Sequence, residues 1–103
     1  MLTIREIQEQ ARELRASKGW PDAPAEERAL SLVAEVGEAV QEVLHLVRGR
    51  GRLPESEVNE VKGRLGLELY DVVWNVCDLA DKLGIDLEQA FAHKAATNRE
   101  RRW

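Results

Sequence analysis

The chain has 103 residues, of which 44% are hydrophobic and 33% charged, so it has room for one domain and is too apolar to be disordered. Its 19 acidic and 15 basic residues give a net charge of −4, which argues against nucleic acid as a main partner, because nucleic-acid binding needs a clustered basic surface. The start of the chain does not resemble a secretory signal and no apolar run is long enough to span a membrane, so we expect a cytoplasmic location and no membrane partner.

The first two predicted helices are marked by their capping residues and by apolar residues at helical spacing. A helix from about Ile4 to Ser17 is predicted because Thr3 and Glu6 can form a capping box, in which each side chain binds a free amide of the first turn. A second helix is predicted from near Pro24, a favourable first-turn residue, to about Arg48.

The third and fourth helices complete the predicted fold. The third is expected over roughly Glu55 to Leu83, although Gly63 and Gly66 weaken its first half and make a break there an alternative. The fourth is expected from Asp86, which can cap it together with Gln89, to about Asn98. No strand is predicted. The short connections therefore indicate an all-α single domain, a four-helix-type bundle in which sequential helices pack as antiparallel neighbours.

The third helix is apolar on two sides when its residues are placed at intervals of about 100°. One stripe is predicted to face the core, and it consists of Leu65, Leu69, Val72, Val76, Leu79 and Leu83. A second apolar face lies opposite the first and consists of Leu67, Tyr70, Trp74 and Cys77. Because so short a chain has little else to cover the second face, we expect another subunit to cover it, with Trp74 packing at the interface.

Acidic residues interrupt the apolar pattern of the second and third helices. The third helix carries a polar seam between its two apolar faces, made of Glu68, Asp71, Asn75, Asp78 and Lys82. The apolar side of the second helix is predicted to be its valine-rich side, made of Val33, Val36, Val40, Val43, Leu44 and Val47. A strip of acidic residues runs along the same helix, past the line of Leu32, Ala39 and Leu46. The strip consists of Glu35, Glu38 and Glu42.

The spacing of these acids indicates two carboxylate pairs. Glu35 and Glu38 are three residues apart, as are Glu68 and Asp71, so each pair shares one helix face. If the two pairs face each other, partly buried negative charges converge and are costly unless a cation compensates them. Mg²⁺ accepts carboxylate oxygens and completes its coordination with water and phosphate. From the residues alone, a magnesium site and a merely solvated acidic face both remain open.

The order Glu35-x-x-Glu38 followed by Glu68-x-x-Asp71 resembles the metal-binding signature of the MazG-like nucleotide pyrophosphohydrolases and the related dCTP and dUTP pyrophosphatases. The stretch ALSLVAEVGEAVQEV is similar to the second helix of that family, and ELYDVVWNVCDLADKLGIDLEQAFAHKAATNRERR is similar to its third and fourth helices. The resemblance implies one MazG-like domain over residues 1–103, an all-α fold and a homodimer or homotetramer. It also implies cleavage of nucleoside triphosphates to the monophosphate and pyrophosphate, for house-cleaning or control of nucleotide pools.

The resemblance also implies roles for particular residues. Mg²⁺, with Mn²⁺ as an alternative, would be held by Glu35, Glu38, Glu68 and Asp71, and either Glu35 or Glu38 would help to deprotonate the attacking water. Phosphate oxygens would be met by three residues that match the family pattern K-x-x-x-N-x-x-R, namely Lys94, Asn98 and Arg101. Asn75 is a candidate for contact with the sugar or base, and Trp20 for stacking on a base. A solvent-facing amide and a tryptophan covering the edge of the core fit the sequence equally well.

Two alternatives fit the same sequence. The first keeps the fold and takes phosphoribosyl-ATP as substrate, although the ending KAATNRERR argues against it. The second is a non-catalytic helical module that binds nucleotide or only oligomerises, and the presence of all four carboxylates argues against that reading.

Overall fold

The computed structural model describes residues 2–19 and 23–101, and within them the chain is helical with no strand. The helices are α1 (Ile4–Lys18), α2 (Ala25–Arg48), α3 (Glu55–Lys82) and α4 (Leu87–Glu100). The prediction of an all-α single domain with four helices in these places is confirmed. Among the described helices, none has the length and apolar character needed to cross a bilayer.

The ends of the helices follow the predicted capping residues. The Thr3 hydroxyl oxygen accepts a hydrogen bond from the amide of Glu6 at 3.1 Å. The Glu6 carboxylate accepts from the Thr3 hydroxyl instead of from its amide, so only half of the capping box forms as predicted. At the start of α4, the Asp86 carboxylate accepts from the amide of Gln89 at 3.1 Å. These side chains bind amides that have no partner within their own helix.

Helix α3 continues through Gly63 and Gly66 without a break. Packing against α2 outweighs the low helix propensity of glycine here, because Val61, in the same stretch, is completely buried. The helix ends where Gly84 adopts a left-handed conformation with φ of 68°, which lets the Ile85 amide donate to the carbonyl of Ala80 at 2.8 Å.

The helices do not all pack on their neighbours in sequence, which corrects the bundle arrangement predicted above. Helix α3 is central, with α2 packed along it and α1 packed against its second half, whereas α4 packs on α1. Polar contacts fix α4 there, because the Gln8 side chain donates to the Ile85 carbonyl and accepts from the Leu87 amide. The radius of gyration is 16.8 Å, larger than the roughly 13 Å of a spherical domain of this length.

The apolar core of a single chain is made of small side chains, while many large ones are exposed. The buried apolar residues are Ala11, Ala39, Val61, Cys77 and Ala80. The valine-rich side of α2, predicted to be its apolar side, is not covered within one chain, because Val33 is 68% exposed and α2 turns Ala39 inward instead. On α3, Leu69 and Leu83 of the predicted core stripe are also exposed. Hydrophobic spacing identifies an apolar face but not which neighbour covers it.

Candidate metal centre

The acids of α2 and α3 meet at the contact between these two helices. Glu35, Glu68 and Asp71 each offer a carboxylate oxygen, and these oxygens lie within 4.8 Å of one another. All three side chains are half-buried. Glu35 belongs to the same side of α2 as the buried Ala39, one turn away, so the strip that faces α3 carries the acid inward. Three of the four acids that were predicted to converge therefore meet in the fold, and Glu38 is not in this group of three.

Glu38 is more exposed than the other three acids and belongs to the same electrostatic group. The nearness of Glu38, together with burial and the charge of Glu35, raises the pKa of Glu68 to about 7. Crowded carboxylates raise one another's pKa because each negative charge disfavours the next. The cluster therefore holds a proton near neutral pH when nothing else compensates its charge.

Burial is the main influence on the pKa of Glu35. Burial raises its pKa above the ordinary value, and the charges of Glu38 and Asp71 raise it further. One carboxylate oxygen of Glu35 and one of Glu68 are buried without a hydrogen-bond partner. Buried, unpartnered carboxylate oxygens fit a hard divalent cation such as Mg²⁺, which binds oxygen ligands and compensates their charge.

Glu42, the next acid of the same strip, does not join the cluster. Its carboxylate accepts a hydrogen bond from Nε of Arg64 at 3.2 Å, so α3 supplies it with a basic partner. The acidic strip of α2 therefore contains two kinds of acid. Glu42 is paired with a basic residue of α3, whereas Glu35 and Glu38 lie near other acids. Glu42 is therefore a matched control for the acids of the cluster.

A cavity of about 290 Å³ adjoins the acidic cluster. Its lining consists of Leu14, Glu35, Tyr70, Asp71, Trp74 and Asn75. The sequence placed Trp74 at a subunit interface and missed its position beside the acids. Its spacing of three residues from Asp71 is the signal that could have found it, because residues three apart share a helix face. The cavity combines aromatic walls with carboxylates at one side.

Asn75, a predicted site residue, is buried at the edge of this cavity. Its Nδ2 donates to the backbone carbonyl of Asp71 at 2.8 Å, and its Oδ1 accepts from Nη1 of Arg28 at 3.1 Å. Arg28 also lies over the ring of Trp74, 5.5 Å from the ring centroid. Sequence reasoning did not single out Arg28, because an arginine in the first turn of a helix gives no signal of a long-range partner.

Asp78, predicted as part of the polar seam, is completely buried. One of its oxygens lies 2.7 Å from Nε of Arg15, and the other lies 2.9 Å from Nε of Arg28. The two arginines come from α1 and α2, so this carboxylate of α3 joins three helices. Asp78 therefore has a structural role beside the site. Its negative charge is compensated by basic residues, whereas the charges of the acidic cluster are not.

The predicted phosphate-binding residues lie on α4, on a different part of the surface. Lys94 and Asn98 border a separate cavity of about 380 Å³ together with Leu87 and Phe91, and none of the four acids lines it. Arg101 is exposed at the C-terminal end of α4. A single chain, as far as the structure describes it, does not bring these residues to the acidic cluster. Trp20, the predicted base-stacking residue, lies outside the described residues.

No protein-family model, curated protein or solved structure matches the chain. The chemistry of the site is therefore inferred from its own residues: crowded carboxylates, an adjoining cavity with aromatic walls, and a buried amide held between Arg28 and the backbone of α3.

Proposed function

We propose that the protein is a Mg²⁺-dependent hydrolase that cleaves nucleoside triphosphates to the monophosphate and pyrophosphate, as the MazG-like enzymes it resembles do. The observation that carries this proposal is the crowding of Glu35, Glu68 and Asp71 oxygens within 4.8 Å of one another. If basic side chains were paired with these acids, the cluster would be a structural one. Instead, Glu35 and Glu68 each have a buried oxygen without a hydrogen-bond partner, which favours a cluster that binds a cation.

The residues that would hold Mg²⁺, or Mn²⁺ in its place, are Glu35, Glu38, Glu68 and Asp71. A bound divalent ion neutralises phosphate charge and lowers the pKa of a bound water. The chain itself supplies the proton acceptor, for which Glu35 and Glu38 are the candidates. Glu38 is open to solvent and lies close enough to Glu68 to raise its pKa, so it can take up a proton at the edge of the cluster.

The cavity next to the acids suits the nucleoside. Tyr70 and Trp74 offer aromatic surface for a base, and Leu14 adds an apolar contact. Asn75 adds a polar group that can hydrogen-bond to the sugar or base. With phosphates at the carboxylate side and the base against the aromatic side, a triphosphate spans the two halves of the site.

Self-association as a homodimer or homotetramer is part of the proposal. The valine-rich side of α2 is exposed, and on α3 Leu67 is 71% exposed. Soluble proteins rarely leave so many large apolar side chains uncovered. In such an oligomer, α4 of a second copy is the source of the lysine, asparagine and arginine that we expect at the phosphates. A cytoplasmic location remains our prediction.

The test is release of pyrophosphate from a panel of common and modified nucleoside triphosphates and phosphoribosyl-ATP, with Mg²⁺ or with EDTA. We expect release from at least one nucleoside triphosphate and none with EDTA. Glu68→Gln and Asp71→Asn are expected to lower kcat by about 100-fold or more, the scale of lost acid–base or metal assistance. Glu42→Gln, the matched control, is expected to stay near wild type.

The competing functions give different results in the same assays. Preferential cleavage of phosphoribosyl-ATP identifies that substrate instead. Nucleotide binding in calorimetry without turnover identifies a non-catalytic module. Turnover that survives EDTA, or that survives in Glu68→Gln and Asp71→Asn, contradicts the role proposed for the acids.

A further inference from the structure

A buried ion-pair network stands directly behind the acidic site. Asp78 has no exposed surface, and its two oxygens form ion pairs with Arg15 and Arg28, at 2.7 Å and 2.9 Å from their Nε atoms. Burying a carboxylate is costly unless it is paired, and here the pairing holds Arg28 in one place. The Nε side of the Arg28 guanidinium faces Asp78, which leaves its Nη nitrogens for other partners.

Arg28 uses a second nitrogen to control Asn75. Its Nη1 donates to Oδ1 of Asn75 at 3.1 Å. A guanidinium only donates hydrogen bonds, so it selects the oxygen end of the carboxamide and excludes the flipped orientation. The nitrogen end of Asn75 is thereby directed to the Asp71 carbonyl, to which it donates at 2.8 Å.

The fixed orientation decides what Asn75 offers to a ligand. Nδ2 carries two hydrogens, and the Asp71 carbonyl uses one of them. Asn75 lines the cavity beside Glu35 and Asp71, so its remaining N–H is the donor that it can present there. Trp74, under the Arg28 guanidinium, forms the neighbouring wall and is held by the same residue.

We propose that Arg28 is a positioning residue, which sets Asn75 as a hydrogen-bond donor and so selects a nucleoside that presents an acceptor, a carbonyl or ether oxygen or a ring nitrogen, at that point. The inference rests on the proposed function, because it concerns the nucleoside side of the same site. Arg28 itself acts through Asn75 and does not touch the nucleoside.

A double-mutant cycle with Arg28→Lys and Asn75→Ala tests this inference. Lysine keeps a positive charge near Asp78, but it lacks the separate guanidinium nitrogens with which arginine contacts Asp78 and Asn75 at once. On the best substrate, at saturating Mg²⁺, each single variant is expected to raise KM by about three- to tenfold, the effect of one lost hydrogen bond, with kcat within about twofold. The double variant is expected to match Asn75→Ala alone, because Arg28 acts through Asn75.

Arg12→Gln is the matched control, since Arg12 pairs with Asp81 on the other side of the network and makes no contact with Asn75. Its KM is expected to be unchanged. Circular dichroism checks that each variant is folded, and Arg28→Gln is added to the cycle if it folds. Additive effects of Arg28→Lys and Asn75→Ala on KM overturn the inference while the hydrolase proposal stands. A wild-type protein that cleaves none of the nucleotides overturns both.

Discussion

Glu38 of α2 and Glu68 of α3 are both acids, yet they lie close enough across the helix contact for one to change the pKa of the other. The nearness of Glu38, with burial and the charge of Glu35, raises the pKa of Glu68 from 4.5 to about 7. At neutral pH the cluster is therefore only partly ionised when no cation compensates its charge.

In the absence of divalent ions, the stability of the folded chain is expected to depend on pH. The pKa of Glu68 is higher in the folded than in the unfolded chain, so the folded state binds more protons between about pH 4.5 and pH 7. Stability is therefore expected to fall as the pH rises through this window and to level off above it. Thermal unfolding in EDTA measures the change, and Glu68→Gln is expected to flatten it. A Tm that rises over the same window contradicts the assignment.

Addition of Mg²⁺ is expected to reverse this loss of stability at about pH 8. A ligand that binds only the folded state at about 100 times its Kd adds about 2.7 kcal/mol to the free energy of unfolding. The rise in Tm with Mg²⁺ measures the effect. Asp71→Asn is expected to lose most of the rise and Glu42→Gln to keep it, because Arg64 already pairs with Glu42. An equal rise in both variants places the ion elsewhere.

Removal of the buried carboxylate at Asp78 is expected to be strongly destabilising. Asp78→Ala leaves Arg15 and Arg28 without their buried partner, and breaking a buried pair typically costs about 3–5 kcal/mol. Urea unfolding measures the loss. Glu88→Ala removes a partner of Arg5 on the surface, where an ion pair is worth about 0–1 kcal/mol, and serves as the control. Similar losses in the two variants are incompatible with a special role for Asp78.

Charge on the valine-rich side of α2 is expected to prevent self-association. Val33→Glu places a carboxylate at a side chain that is 68% exposed in one chain and that we expect to be covered in the oligomer. Size-exclusion chromatography with light scattering is expected to show an oligomer for the wild type and a monomer for Val33→Glu. Gln41→Glu adds the same charge at an exposed polar position of α2 as a control. A monomeric wild-type protein at micromolar concentration rules out this interface.

The sequence predicted the helices well because local signals mark their ends. Thr3 and Asp86 cap α1 and α4 as predicted. The break considered at Gly63 and Gly66 is not present, because packing on α2 sustains the helix. The meeting of Glu35 with Glu68 and Asp71 was also predictable in part, because i,i+3 spacing places the two acids of α3 on a single face.

Features that depend on which helices touch were beyond the sequence. The valine-rich side of α2 has the more continuous apolar pattern, but the side with Ala39 faces α3. The pairing of Asp78 with Arg15 and Arg28 joins residues far apart in the chain, and charge alone does not select those partners. The place of Lys94 relative to the acids depends in turn on α4 packing against α1.

Asp78 forms ion pairs with Arg15 of α1 and Arg28 of α2. Helix α1 therefore helps to form the candidate site, although it contributes none of the acids. A chain trimmed to begin at α2 would retain every carboxylate of the cluster. It would also remove Arg15 from Asp78 and open this carboxylate to water, so Arg28 would be held less firmly. If the proposed function is correct, such a truncation is expected to weaken nucleoside selection more than Mg²⁺ binding.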